Sequence, residues 1–394
     1  MRLIHTSDWH LGRSFHGVGL LGAQSAYLDH LVDVVRGEGV DAVVVAGDVY
    51  DRAIPAPDAV ELLSDAIVRL RDASAEVIIA PGNHDSARRL GFGSSLLERS
   101  GVHIRTGVAD IGRPVVVGDA AIYPLPYLDP ASFTVTDALG VSVRSHAAVL
   151  GAAMERVRAD AESRGPRRTV VAAHCFASGG AASDSERDIT VGGVSMVPAS
   201  VFEGVGYAAL GHLHRPQEIA EGVRYCGSPV AMSFSEAGYT KGSLLVDLAA
   251  DGTPTVEQVD APVDRPIAVL RGTLEELLTD RRHAHAEAAY VQATLTDAVR
   301  PRQAMDRLRR RFPHTLSLQL DPVGTPAPVR ARATTVAGRP SIEVCTDFVE
   351  AMRPGRPASD AERALLVEAL EGSRSQRSLA DDEGQATDAR RGAA

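Results

Sequence analysis

Two unbroken apolar runs, Ala42-Val-Val-Val-Ala46 and Val77-Ile-Ile-Ala80, set the tightest limit on the fold; each follows an acidic residue and ends at or just before a glycine. A strand that is apolar on both faces has to be covered on both faces, as in a mostly parallel sheet clothed by helices. The intervening segments agree. Leu28, Leu31, Val32 and Val35 recur at helical spacing and predict a helix over 23–38, and Val60, Leu63, Ile67 and Leu70 predict a second over 57–73. A short strand over 2–6 precedes the first helix, and Val170-Val-Ala-Ala173 and Tyr207-Ala-Ala-Leu210 read as further strands of the same layer. Alternation of this kind predicts an α/β fold with right-handed crossovers.

Beyond about residue 262 the pattern changes. Strands at 266–271, 289–295 and 315–320, with helices near 273–281 and 301–311, predict a small α/β unit, and Pro322, Pro326 and Pro328 break the chain after it. Ser341 to Met352 reads as a helix. A second covers 360–371, with Ser359 and Glu362 at capping-box spacing and Gly372 to end it. The expected domains are 1–262, 263–335, C-terminal helices over 336–373, and a disordered tail over 374–394 rich in Ser, Asp, Gly and Arg.

Composition removes several function classes. With 44 % hydrophobic and 23 % charged residues the chain is core-forming, and no stretch approaches the roughly 18 apolar residues of a membrane span. Residues Met1 to Asp8 place charge and polarity where a signal peptide would be apolar, and Cys175, Cys226 and Cys345 cannot form a disulfide framework. A cytoplasmic protein is expected. The net charge of −10 argues against binding nucleic acid by bulk charge alone, but the acidic excess lies in residues 1–262, with 21 basic against 32 acidic side chains. Residues 263–394 are near balance, with 20 against 19.

The chemistry concentrates where predicted strands end: Asp8-Trp9-His10, Gly47-Asp48, Gly82-Asn83-His84-Asp85, His174, and Gly211-His212-Leu213-His214. Carboxyl ends of strands in α/β sheets form sites, so separate clusters can converge there. Oxygen and imidazole donors without thiolate suit a pair of divalent cations such as Mn, Fe, Zn or Co. Asp48 is the natural bridge, giving one oxygen to each cation. Asp8, His10 and His214 can complete one site, and Asn83, His174 and His212 the other. His84 is left to face the substrate, with Asp85 expected to orient its imidazole.

This order of motifs resembles the calcineurin-like metallophosphoesterase superfamily. Finer stretches resemble its SbcD family of bacterial nuclease subunits: His5-Thr-Ser-Asp-Trp-His-Leu-Gly12, Asp184-Ser-Glu-Arg187, Tyr207 to Gln217, and Cys226-Gly-Ser-Pro229 followed by Ser233-Phe-Ser-Glu236. The resemblance implies a sandwich of β-sheets flanked by helices, with a small α/β capping domain and C-terminal helices. It implies a manganese-dependent DNA nuclease, a 3′-to-5′ exonuclease on duplex ends and an endonuclease on single strands and hairpins. Such a subunit works in DNA repair and recombination at the nucleoid, as a homodimer within a heterotetramer with an SbcC-type ATPase whose long coiled coils dock on it. Carried over by position, Asp8, His10, Asp48 and His214 match one metal site, Asp48, Asn83, His174 and His212 the other, and His84 the catalytic histidine. Archaeal relatives carry a second histidine just after the Gly-Asp motif, where this chain has Asp51. The motif core alone leaves a phosphatase or phosphodiesterase for small substrates open.

Other features have two readings. Arg300, Arg302, Arg307, Arg309, Arg310 and Arg311 crowd one segment with only Asp306 against them, which makes either a solvated face or a DNA-phosphate contact. Phe348 and Met352, with Leu366 and Leu370, form apolar stripes that either pack on their own chain or dock the ATPase partner. His5 and His103 read as satisfied core or edge residues, Cys175 as small packing, and His283 and His285 as a solvated helix end.

Overall fold

The computed structural model describes residues 1–165, 168–186, 196–323, 340–353 and 356–371. Arg2–Thr6, Ala42–Ala46, Glu76–Ala80 and Val102–Ile104 pair in parallel, and Gly242–Leu248 and Pro254–Asp260 extend the same sheet antiparallel on the other side of Arg2–Thr6. A second six-stranded sheet runs in the order Gln217–Ala220, Val223–Tyr225, Tyr207–Gly211, Arg168–His174, Ala120–Pro124 and Val115–Val117. Its middle four strands are parallel and both edges antiparallel.

The 170–173 and 207–210 runs therefore lie in a second sheet, not in the layer of the first strand. An apolar run buried on both faces has the same composition whether its second face meets a helix or another sheet. Here the sheets meet face to face: Leu3, Ala42, Val44, Ala46 and Ile78 of one share a buried cluster with Ile122, Val170, Ala172, Tyr207 and Ala209 of the other. The alternate residues Val43, Val45, Val77 and Ile79 turn outward onto helices Leu21–Glu38 and Pro57–Asp72, and Val171, Ala173, Ala208 and Leu210 turn onto His146–Arg164. The result is the expected sandwich flanked by helices. Pro57–Asp72 buries Ala59, Leu63, Ala66 and Leu70, while Val60 is exposed. The small alanines at 59 and 66 turn the buried stripe one position from the expected one.

Ile267–Gly272, Tyr290–Leu295 and Thr315–Leu320 form a three-stranded sheet that shares its own core, including Leu277, Val291, Leu308 and Phe312, with helices Leu274–Thr279 and Ala304–Arg311. The helix expected over 273–281 ends early, because Asp280 caps a separate 3-10 turn, Arg281–Ala286. Among the described residues, those within Met1–Leu295 and Arg302–Gln319 form one compact unit, and Thr296–Pro301 with those from Leu320 to 371 form another. In the latter, Ser341–Met352 is helical and so is 360–371, whose capping box forms: Ser359 N–H donates to Glu362 Oε2 at 2.9 Å, and Glu362 N–H to Ser359 Oγ at 3.3 Å. Pro326, Pro328, Gly372 and the 374–394 tail lie outside the described residues. Among the described residues no helix is long and apolar enough to cross a membrane.

Candidate metal centre

The strand ends of both sheets meet at one place. Asp8 N–H donates to Gly47 O at 3.0 Å and His10 N–H to Asp48 O at 2.9 Å, which ties the first cluster to the second. His212 N–H reaches both Asp8 carboxylate oxygens at 3.1 Å, and His174 Nδ1 meets Ala46 O at 3.0 Å across the two sheets. Asp8, His10, Asp48 and His212 all have left-handed backbones, with φ of 53°, 45°, 48° and 105°. Such torsions are uncommon outside glycine and gather at functional sites. The glycines beside them serve close approach: a Cβ on Gly82 would lie 2.1 Å from Asp48 Oδ1, and one on Gly211 would lie 1.8 Å from Ala46 O.

The donors converge. Asp8, His10 and His214, then His10, Asp48 and His84, then Asp8, Asp48 and His174 each offer three ligand atoms within 4.8 Å of one another. Asn83 Oδ1 joins them, 2.9 Å from His174 Nε2. Asp48 Oδ2 lies 3.5 Å from both His10 Nε2 and His174 Nε2, while Oδ1 accepts the His84 N–H at 2.9 Å. A single oxygen, Oδ2, thus faces both halves, where one oxygen per cation was expected. The His212 ring is buried against the His174 ring, centroids 5.3 Å apart, but belongs to none of the three groupings.

The residues fit cations. Both ring nitrogens of His10 are buried without a hydrogen bond, a costly state unless something else satisfies them. Burial alone would raise the Asp48 carboxyl, yet His174, His10 and His84 pull it well below the usual range. Burial lowers His174, but Asp48 and Asp8 outweigh it and bring the imidazole up to about 9; burial and His174 together push His212 well down. Acids and bases packed this tightly are what divalent cations organise.

Orientation comes from outside the centre. His174 Nδ1 donates to Ala46 O, which turns Nε2 inward. His84 Nδ1 donates to Asp51 O at 2.7 Å, and its Nε2 lies 3.9 Å from Asp48 Oδ2. Asp85 does not orient that imidazole. Its carboxylate accepts the N–H groups of Gly82 at 2.9 Å, Tyr50 at 2.9 Å and Val49 at 3.1 Å, locking two loops together. Desolvation and the Asp48 charge push the Asp85 carboxyl up to about 7, against the pull of those donors. The assignment of Asp85 as a catalytic group is therefore corrected: its oxygens hold main chain.

Sequence reasoning missed an outer group: Ser185 on His214, Arg13 and Asp51 beside His10, and the buried pair Glu236–Lys241. Its signals are present in the Asp184-to-Arg187 and Ser233-to-Glu236 stretches and in Lys241, the chain's sole lysine, none of which declares a role by itself. Arg187 lies outside the described residues. His5 is satisfied, with Nδ1 2.9 Å from the Tyr207 hydroxyl and Nε2 3.1 Å from Leu210 O; His103 meets Glu76 and Cys175 is buried. His283 is buried rather than solvated, accepting from Arg282 Nε at 3.1 Å, because the 3-10 turn rotates it inward; His285 is exposed.

The arginine segment divides. Arg309 donates to Thr315 O at 3.2 Å, and Arg311 to Leu277 O at 2.9 Å and Glu287 at 3.0 Å, so these two are spent on holding their own unit. Arg302, Arg307 and Arg310 are exposed there, and Arg300, also exposed, falls in the other compact unit. Phe348 and Met352 are exposed, and Leu366 and Leu370 half-buried.

Residues 1–216 match the model of the calcineurin-like phosphoesterase family. The chain belongs to that family. Residues 263–353 match a second model, SbcD_C, described as the type 5 capsule protein repressor C-terminal domain, and the two matches in this order are consistent with an SbcD nuclease subunit. Similar solved structures include TT1561 of Thermus thermophilus, at 13 % identity over 65 % of this chain and 98 % of that one, TM-score 0.38. A dimetal phosphatase from Danio rerio matches at 13 % identity over 66 % and 98 %, TM-score 0.37. GAP50, the anchor in the inner membrane complex of Plasmodium, matches at 10 % over 83 % and 99 %, TM-score 0.36. The phosphoesterase family and the buried His/Asp clusters make the chain a metal-dependent phosphoesterase hydrolase with a site that fits two metals.

Proposed function

We propose that this phosphoesterase is the DNA nuclease subunit of an SbcCD-type repair and recombination complex, with manganese as its metal. The observation that carries the reading is a buried dimetal donor set in the same chain as a segment matching the SbcD C-terminal model. Asp8, His10, Asp48 and His214 would hold one cation, and Asp48, Asn83, His174 and His212 the other. When bound, such a pair supplies charge against phosphate oxygens and lowers the pKa of a water. Hydrolysis forms a bond from phosphorus to water oxygen and breaks the one to the leaving 3′ oxygen. In its doubly protonated form His84 keeps Nδ1–H on Asp51 O and would present Nε2–H at the centre, to deliver that proton or a hydrogen bond to the leaving oxygen. Exonuclease action on duplex ends and endonuclease action on single strands and hairpins belong to the same reading. Arg302, Arg307 and Arg310 would contact DNA phosphate, and Arg300 with them; Phe348, Met352, Leu366 and Leu370 would receive the coiled coil of an SbcC-type ATPase in a heterotetramer built on a homodimer of this chain. The exposure of the four arginines, Phe348 and Met352 supports these assignments.

The test is cleavage of labelled duplex, hairpin and single-stranded DNA with manganese, wild type against His84→Ala. The reading expects cutting that collapses in the variant while two metals per chain remain bound. Brisk hydrolysis of a small phosphodiester with no DNA cutting, alone or with the ATPase, would instead make the chain a small-substrate phosphodiesterase.

A further inference from the structure

The two halves of the donor set are held from outside in different ways. His174 is fixed by main chain, through Ala46 O at 3.0 Å. His214 is fixed by side chains. Ser185 Oγ lies 2.7 Å from His214 Nδ1 and also hydrogen-bonds Glu236 Oε1, which is itself 3.4 Å from the same ring nitrogen. Glu236 Oε2 meets Lys241 Nζ, and Lys241 further donates to His214 O at 3.0 Å and Ser228 Oγ at 2.9 Å. Glu236 is 1 % exposed, Lys241 6 % and Ser185 8 %. A charge pair buried this deeply is costly unless its remaining donors and acceptors are filled, and here they are.

The direction of the relay follows from the groups. An ionised carboxylate only accepts, so the Ser185 hydroxyl donates to Glu236, and its oxygen is left to accept from His214 Nδ1–H. The ring nitrogen left without that proton is Nε2, whose lone pair can serve a cation with Asp8 and His10. The same segment grips the rest of that site. Glu186 Oε1 accepts the His214 N–H at 2.8 Å, and Ser185 O accepts Arg13 Nη2 at 3.0 Å. Arg13 Nη1 then meets Asp51 Oδ1 at 3.1 Å, and that oxygen is 3.6 Å from His10 Nδ1.

We propose that Glu236, acting through Ser185 and balanced by Lys241, is the positioning residue that fixes the His214 ring and sets the cation affinity of the Asp8/His10/His214 site separately from the His174 site. The inference rests on the two-cation reading above. It gives Glu236 and the neighbours Ser185 and Glu186 a task in common: they clamp one metal ligand from two sides.

The test is manganese titration of the full chain by calorimetry, with electron paramagnetic resonance to report whether bound ions are paired or isolated. The wild type is expected to take up two ions and show the paired spectrum. Glu236→Gln and Ser185→Ala are expected to keep one site at wild-type affinity and weaken the other by about 10–100-fold, leaving an isolated-ion spectrum at limiting metal. Ser185→Thr, which retains the hydroxyl, should keep both sites. Ser185→Ala removes one oxygen only, so it decides the question even where Glu236→Gln, which leaves the Lys241 ammonium unbalanced, fails to fold. Wild-type affinity at both sites in Ser185→Ala, equal weakening of both, or the same loss in Ser185→Thr would each overturn the proposal. A wild type that binds fewer than two ions would overturn the two-cation reading itself, and the inference with it.

Discussion

Replacing Gly82 by alanine tests whether the spacing of the strand ends sets the reactivity of the centre. The new Cβ would sit 2.1 Å from Asp48 Oδ1 and 2.3 Å from Asp48 N, and since real Cβ atoms do not come within 3.0 Å of such neighbours, the gap must open by about 1 Å. Neither side gives easily. Oδ1 accepts the His84 N–H at 2.9 Å, and the Asp85 carboxylate ties Gly82 N–H to the N–H groups of Val49 and Tyr50. Gly82 does not have a left-handed backbone, so alanine's torsions are allowed and only space is at issue. Overpacking of this kind costs about 1–3 kcal/mol, and a shift of about 1 Å in a catalytic group costs about 10²-fold in rate. Gly82→Ala is therefore expected to lose about 100-fold in single-turnover hydrolysis of a phosphodiester and about 1–3 kcal/mol in urea unfolding. The control is Gly151→Ala in helix His146–Arg164, where a Cβ meets nothing within 4 Å. It should keep full activity and gain up to about 1 kcal/mol. A Gly82→Ala protein that turns over at the wild-type rate with metal bound would refute the reasoning.

Asp85→Asn should lower stability by about 1–3 kcal/mol, because the amide nitrogen takes the place of one carboxylate oxygen and turns toward either the Tyr50 N–H or the Val49 and Gly82 N–H groups, leaving donors facing donors; a thermal scan unchanged from wild type would contradict the main-chain role. Burial pushes His5 down to about 3, so between its ordinary 6.5 and that value the unfolded chain binds a proton that the folded chain does not, and stability falls as pH drops through this window. The loss is about 1.4 kcal/mol per pH unit from this one group, and metal-free His5→Gln should show a shallower fall between pH 6 and 4 in denaturant titrations. Arg307→Ala with Arg310→Ala should reduce the salt slope of DNA binding by about 0.9 for each phosphate no longer neutralised, whereas Arg309→Ala and Arg311→Ala should mainly lower stability. An equal salt effect from both pairs would count against that division.

The strands and most of the clustered Asp, Asn and His side chains were legible because their signals are local. An unbroken apolar run ending in glycine followed by Asp, Asn or His carries both the burial of the strand and the chemistry at its end within a few residues. The second sheet was not legible as separate: Val170 to Ala173 looks like any strand covered on both faces, and only the packing of Ala172 and Val170 in one cluster with Val44 and Ala46 reveals that the cover is another sheet. The outer group around His214 was hidden for a different reason. Ser185 and Glu236 lie 51 positions apart and are ordinary residue types, so nothing in either alone announces that they share a hydrogen bond.

The tetrapeptide Gly82-Asn83-His84-Asp85 shows where motif reading ends. Its residues all belong to the site, but adjacency in sequence suggested that Asp85 serves His84, and the chain does the reverse of that economy. The imidazole is held by the carbonyl of Asp51, and the carboxylate is held by amides of Gly82, Val49 and Tyr50. Both partners are main-chain atoms, which every residue but proline at an amide can supply, so neither leaves a mark in the sequence. This also bears on position 51, just after the Gly47-Asp48 motif. What His84 needs from that position is a carbonyl oxygen, independent of the side chain, while the side chain itself meets Arg13 and faces His10. A substitution at position 51 can therefore alter the surroundings of His10 while leaving the hold on His84 intact.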